Sequence, residues 1–94
     1  MTYKELDINT LKEYLRIDGE DEDNLITLIL SASKSLVRNY TGLDEESLNQ
    51  LEDIPTAILA ISAEMYDNRQ FTVDKSAINP VVKIILDMYS INLL

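Results

Sequence analysis

The sequence contains no cysteine, which excludes a disulfide framework, a thiolate zinc site and a cysteine nucleophile. It contains no histidine either, so there is no Ser-His-Asp triad and no histidine-ligated metal. Glycine and proline occur only twice each, which argues against a turn-rich sandwich or barrel. Bases are scarce. Eight Lys and Arg stand against 17 Asp and Glu, for a net charge of -9. Such a chain has no basic patch with which to neutralise nucleic-acid phosphates, and anionic membrane surfaces repel it. Met1 to Asp7 lacks a cationic and apolar leader, so no signal peptide is expected. No apolar run approaches the ~18 residues of a membrane-spanning helix. The P-loop, GxGxxG and GxSxG patterns are also missing.

What remains describes an acidic, soluble domain of intracellular type. Ninety-four residues predict one domain over 1–94. With 46% apolar and 27% charged residues, the chain has enough to bury that disorder throughout is excluded. Apolar spacing predicts an all-α fold, a compact bundle of about four helices at 8–16, 22–41, 55–69 and 80–89. In the first, Asp7 is the expected N-cap and Ile8, Leu11 and Leu15 form one stripe, with Gly19 expected to end it. In the second, Leu25, Ile26, Leu28, Ile29, Ala32, Leu36, Val37 and Tyr40 follow the helical repeat and Gly42 takes the C-cap position. The third opens on Pro55, a favourable first helical residue, and is apolar on most sides, which predicts a central position. The fourth opens on Asn79-Pro80, with Val81, Ile84, Ile85 and Met88 lining its face. Asp44 and Leu48 allow a short helical turn between the second and third, and residues 70–78 read as an exposed loop. On this reading Leu28 and Ile61 both belong to the core.

Few constellations could carry chemistry. Asp18-Gly19-Glu20-Asp21-Glu22-Asp23 holds five carboxylates in six residues. A calcium loop started at Asp18 needs Gly at its sixth position and Glu at its twelfth, where this chain has Asp23 and Ile29. The acids fit better as a linker leading into a helix N-terminus. Paired carboxylates could in principle cleave glycosides, but aromatics are only 6% and supply no sugar platform. No catalytic, cofactor-binding or metal-binding residue is therefore expected, and the chain is not read as an enzyme.

Several segments together resemble a known family. Leu11-Lys12-Glu13-Tyr14-Leu15-Arg16-Ile17-Asp18 precedes the acidic run, and the long helix closes on Asn39-Tyr40-Thr41-Gly42. Ile54-Pro55-Thr56-Ala57-Ile58, Met65-Tyr66-Asp67-Asn68-Arg69 and Asn79-Pro80-Val81-Val82 follow in order. This pattern is similar to the small all-helical head–tail connector proteins of tailed bacteriophages and prophages, also labelled DNA-packaging proteins. The resemblance covers essentially the whole chain. It implies a structural role with no cofactor. The subunits would form a homo-oligomeric, dodecamer-like ring on the portal protein after packaging and extend the DNA channel. They would then receive the next neck or tail-completion protein, with DNA passing through without specific binding. It also implies a location in the virion neck, after assembly in the host bacterial cytoplasm. The excess apolar surface and the Ile91-Asn92-Leu93-Leu94 tail suit such a subunit. Tyr66, Arg69, Phe71, Val73, Ile91, Leu93 and Leu94 are the expected assembly surfaces, with Arg69 as a guanidinium clamp for a carboxylate. The charge alone supports a different function, an acidic monomeric or dimeric adaptor or DNA-charge-mimicking regulator that binds a basic protein.

Overall fold

A computed structural model describes residues 1–68 and 80–89 of the chain. Five helices make up the described fold: α1 (Ile8–Leu15), α2 (Asp23–Thr41), α3 (Glu45–Asn49), α4 (Ile54–Asn68) and α5 (Pro80–Tyr89). The all-helical expectation holds among these residues, and the four long segments lie within about one residue of their predicted bounds. The expected loop at 70–78, and Asn79 as a cap, lie outside the described residues.

Local chemistry sets each helix end. The Asp7 carboxylate accepts from the Thr10 backbone N–H at 3.0 Å and from its hydroxyl at 3.2 Å, which caps α1. At its other end the sequence reading named the wrong residue. Arg16, not Gly19, takes the left-handed conformation, with φ of 61°. Its N–H donates to Glu13 O and the Ile17 N–H to Lys12 O, the paired bonds of a Schellman turn. That turn brings Ile17 back against the core, which offsets the strain of a non-glycine residue at positive φ. Gly19 lies in open space, where a side chain would meet nothing within 4 Å. Helix α2 ends as expected at Gly42, whose φ of 74° favours glycine and whose N–H donates to Arg38 O at 2.8 Å. The short turn forms as α3, capped by Asp44 through the Ser47 N–H at 2.8 Å and anchored by fully buried Leu48.

Helix α2 packs most extensively against α4. The two run antiparallel: Ser62 Oγ donates to Ser33 Oγ at 2.8 Å near their middles, and Tyr66 at the end of α4 reaches Glu22 at the start of α2. The face that α2 buries comprises Ile26, Ile29, Leu30, Ser33, Val37 and Thr41. Leu28, read above as core, is instead 57% exposed. It lies two residues beyond Ile26, about 200° round the helix, and so points away from α4. The predicted stripe was too broad because α2 carries apolar residues on more sides than one neighbour can cover. Ser33 and Thr41 sit in the core because each hydroxyl bonds back to the carbonyl four residues earlier, Ile29 O at 2.9 Å and Val37 O at 2.8 Å.

Two further pieces complete the core. The N-terminal segment buries Tyr3 and Leu6, which the sequence reading left unassigned. Lys34 holds it, with its ammonium 4.9 Å from the Tyr3 ring centroid and donating to Leu6 O at 2.9 Å. Burial lowers the Lys34 pKa from its ordinary value, opposed by the nearby Glu45 and Asp7 charges. The Lys4 N–H donates to Asn49 Oδ1 at 3.0 Å and ties the segment to α3. Helix α5 lies antiparallel to α4, because the Tyr89 hydroxyl reaches Asp53 just before α4.

Two predictions follow from this packing. Ile61→Asp places an unpaired carboxylate in the core at a cost of several kcal/mol, comparable with the ~5–15 kcal/mol of a whole domain, and abolishes helical circular dichroism. Leu28→Asp leaves both the spectrum and the melt near wild type. The second prediction concerns acid. Backbone N–H groups hold the Asp7 and Asp44 carboxyls below the ordinary value of about 3.9. A carboxyl depressed in the folded state stabilises fully above its unfolded pKa and loses that contribution as pH falls through the folded value. Urea midpoints measured from pH 6 to pH 2 should therefore fall below about pH 4. The Asp7→Asn/Asp44→Asn variant, which keeps both caps, should show a shallower fall.

Candidate assembly surface

The described residues offer no site for bound metal. Among them, no group of three or more His, Cys, Asp or Glu side chains lies close enough to hold an ion. The acidic run is partly spent on internal contacts. Asp23 pairs with Lys12 at 2.7 Å, and Glu22 accepts from the Tyr66 hydroxyl at 3.0 Å. Elsewhere Arg38 pairs with Glu45 at 3.3 Å and Lys83 with Asp87 at 2.9 Å. No helix among the described residues is long and apolar enough to cross a membrane.

Of the seven residues expected at assembly surfaces, one is described. Tyr66 is half-buried on α4, and its hydroxyl is engaged with Glu22 of the same chain. Arg69, Phe71, Val73, Ile91, Leu93 and Leu94 lie outside the described residues.

The structure shows exposed apolar side chains that the sequence reading assigned to the interior. On α5, Val81, Ile84 and Met88 are 64%, 60% and 67% exposed. The side chains that α5 buries are Val82 and Leu86. Val81, Ile84 and Met88 lie about 140–160° round the helix from Leu86, on one solvent-facing strip. Periodicity could not separate the two faces, because every described position of α5 beyond Pro80 except Lys83 and Asp87 is apolar or aromatic. Two tyrosines, one on α2 and one on α5 itself, decide it. Tyr40 on α2 donates to Asp87 on one flank of α5, and Tyr89 on the other flank donates to Asp53 at 3.1 Å. These bonds raise the Tyr40 and Tyr89 pKa values, since each neighbouring carboxylate opposes loss of the phenolic proton. Held on both sides, α5 turns Leu86 inward. A second apolar feature lies on the outer face of α2. There Leu28, Ser31, Ala32 and Ser35 line a shallow depression of about 370 Å³.

The described residues thus form a small helical body that turns several large apolar side chains to water, a surface of the kind found at interaction sites. A family model described as phage gp6-like head-tail connector protein matches residues 5–91. The chain belongs to this family. Searches of curated proteins and of solved structures found no match. The connector match spans all five helices, from the N-terminal segment beyond the end of α5. It is a family of structural connectors and not a known enzyme family.

The α5 strip makes a direct prediction for this connector. Ile84→Ser and Met88→Ser each shift urea-derived stability by less than about 0.5 kcal/mol, as changes to exposed side chains do. Leu86→Ala, on the opposite face, costs about 2–5 kcal/mol. Equal losses at all three positions would contradict the orientation of α5.

Proposed function

We propose that the chain is a structural head–tail connector subunit that forms a homo-oligomeric ring on the portal protein after DNA packaging, extends the DNA channel and receives the next neck component. The family match over residues 5–91 carries this reading. Two physical properties support it. Exposed apolar side chains on α5 and at Leu28 give the subunit surface to bury between copies or against a portal, as assembling interfaces require. The net charge of -9 suits a wall past which DNA must move, because it repels phosphate and does not retain it. The subunit works in the virion neck without catalysis, and assembly takes place in the host bacterial cytoplasm. Tyr66, Arg69, Phe71, Val73, Ile91, Leu93 and Leu94 remain the residues we assign to assembly, now joined by Ile84 and Met88.

Light scattering across protein concentration, negative-stain imaging and mixing with purified portal rings test this together. The expected result is a ring, either of the subunit alone or templated by the portal. Arg69→Ala and removal of residues 91–94 should weaken it at least ~10-fold, equivalent to about 1.4 kcal/mol. A monomer that neither self-assembles nor binds the portal, yet binds basic proteins in a salt-sensitive way, would instead establish the acidic adaptor.

A further inference from the structure

Two helices of this chain close on a left-handed residue. At the end of α2 it is Gly42, with φ of 74°, and at the end of α1 it is Arg16, with φ of 61° and ψ of 46°. Burial of Ile17 requires the turn at Arg16 but not the arginine, because glycine makes the same turn without strain. For a residue with a Cβ, left-handed backbone opposes folding about 5- to 30-fold, of which glycine's greater chain freedom takes back about 2- to 5-fold. The negative end of α1 attracts the guanidinium, but at an exposed position in salt this contributes about 2-fold. The fold therefore gives arginine no advantage over glycine at this position.

Internal bonding gives it none either. Six Lys and Arg stand among the described residues. Lys12, Arg38 and Lys83 are ion-paired and Lys34 donates to Leu6 O, which leaves Lys4 and Arg16. Arg16 is exposed, and its guanidinium has no ion-pair or hydrogen-bond partner among the described residues. Tyr14, on the last turn of α1, is 51% exposed, and its hydroxyl is likewise without a partner among them. Tyrosine and arginine are two of the side chains that most often anchor protein–protein contacts.

We propose that Arg16 is an intermolecular contact: its guanidinium holds a carboxylate of a second copy of this chain. Charge selects that partner. At a net charge of -9 the copies repel one another, so they associate best where a cation of one meets an acid of the next. Exposed acids without a cation are plentiful, among them Asp18, Glu20, Asp21, Glu46 and Asp67. A guanidinium grips a carboxylate through parallel N–H donors, which the ammonium of Lys4 lacks. The proposal rests on the reading of the chain as a self-assembling subunit, and its test separates the two.

Light scattering of wild type, Arg16→Gly and Lys4→Gln across concentration, with and without portal rings, is combined with urea melts of each. The folded-to-unfolded ratio of Arg16→Gly should stay within about 3-fold of wild type or rise, by up to about 10-fold. Its self-association should nevertheless weaken at least ~10-fold. Where assembly requires the portal, the loss should appear as lower cooperativity of loading, with the affinity of the first subunit unchanged. Lys4→Gln removes the same charge from another exposed position and should weaken association less than about 3-fold. A larger stability loss in Arg16→Gly means that the arginine serves the fold, and the proposal fails. It fails equally if Lys4→Gln loses as much, since net charge then explains the effect, or if Arg16→Gly weakens only the first subunit's hold on the portal. Wild type that assembles no better than Arg16→Gly overturns this proposal alone, whereas wild type that stays monomeric even with the portal overturns the assembly reading with it.

Discussion

The antiparallel contact of α2 with α4 is the constraint on which the rest of the chain depends. It is largely apolar, with a Tyr66–Glu22 bond at one end and a buried polar node at its middle, where Ser62 donates to Ser33 and Ser33 donates to Ile29 O. An apolar interface tolerates sliding by a helical turn, because one aliphatic side chain replaces another at little cost. A buried hydroxyl pair does not, because a slip takes from Ser62 its acceptor across the helices, while Ser33 keeps only its bond to Ile29 O. Met65 lies one turn beyond Ser62 and brings its sulfur within 3.5 Å of Ser33 Oγ, so the same node also places the last buried residue of α4. With this register set, α1 lies across both helices, the N-terminal segment is held by Lys34 of α2, and α5 meets Tyr40 and Asp53.

Helix existence was legible in the sequence because each helix carries its own punctuation. Asp7, Asp44 and Gly42 stand where unpaired backbone groups need them. Facing was less legible, for a physical reason. Periodicity identifies a face only when the opposite face is polar, and neither α2 nor α5 meets that condition. Leu28 was read as interior because it belongs to a wide apolar arc. Ser33 and Ser62 were passed over because serine seldom signals a core, although both hydroxyls are satisfied there. The left-handed Arg16 was missed because the need to bury Ile17 outweighs the preference for glycine, and that need is visible only in three dimensions.

The candidate surface followed the same logic. Its family was legible from short segments in order, which survive ambiguity about which way any one helix faces. Of the expected residues, Tyr66 lies among those described, and its hydroxyl bonds Glu22 of the same chain. Ile84 and Met88 were absorbed into an expected core face. Only the flanking bonds from Tyr40 and Tyr89 distinguish the inner side of α5 from the outer, and both cross long stretches of chain.

The N-terminal segment has a consequence for the order of events on the ribosome. Tyr3 and Leu6 are synthesised well before the residues that close their place in the core, Lys34 and the side chain of Asn49. Until Asn49 has emerged, the segment lacks part of the surface it packs against and waits as open polypeptide. These two apolar residues are thus sheltered long after they are made, and their exposure lasts as long as translation takes to reach α3.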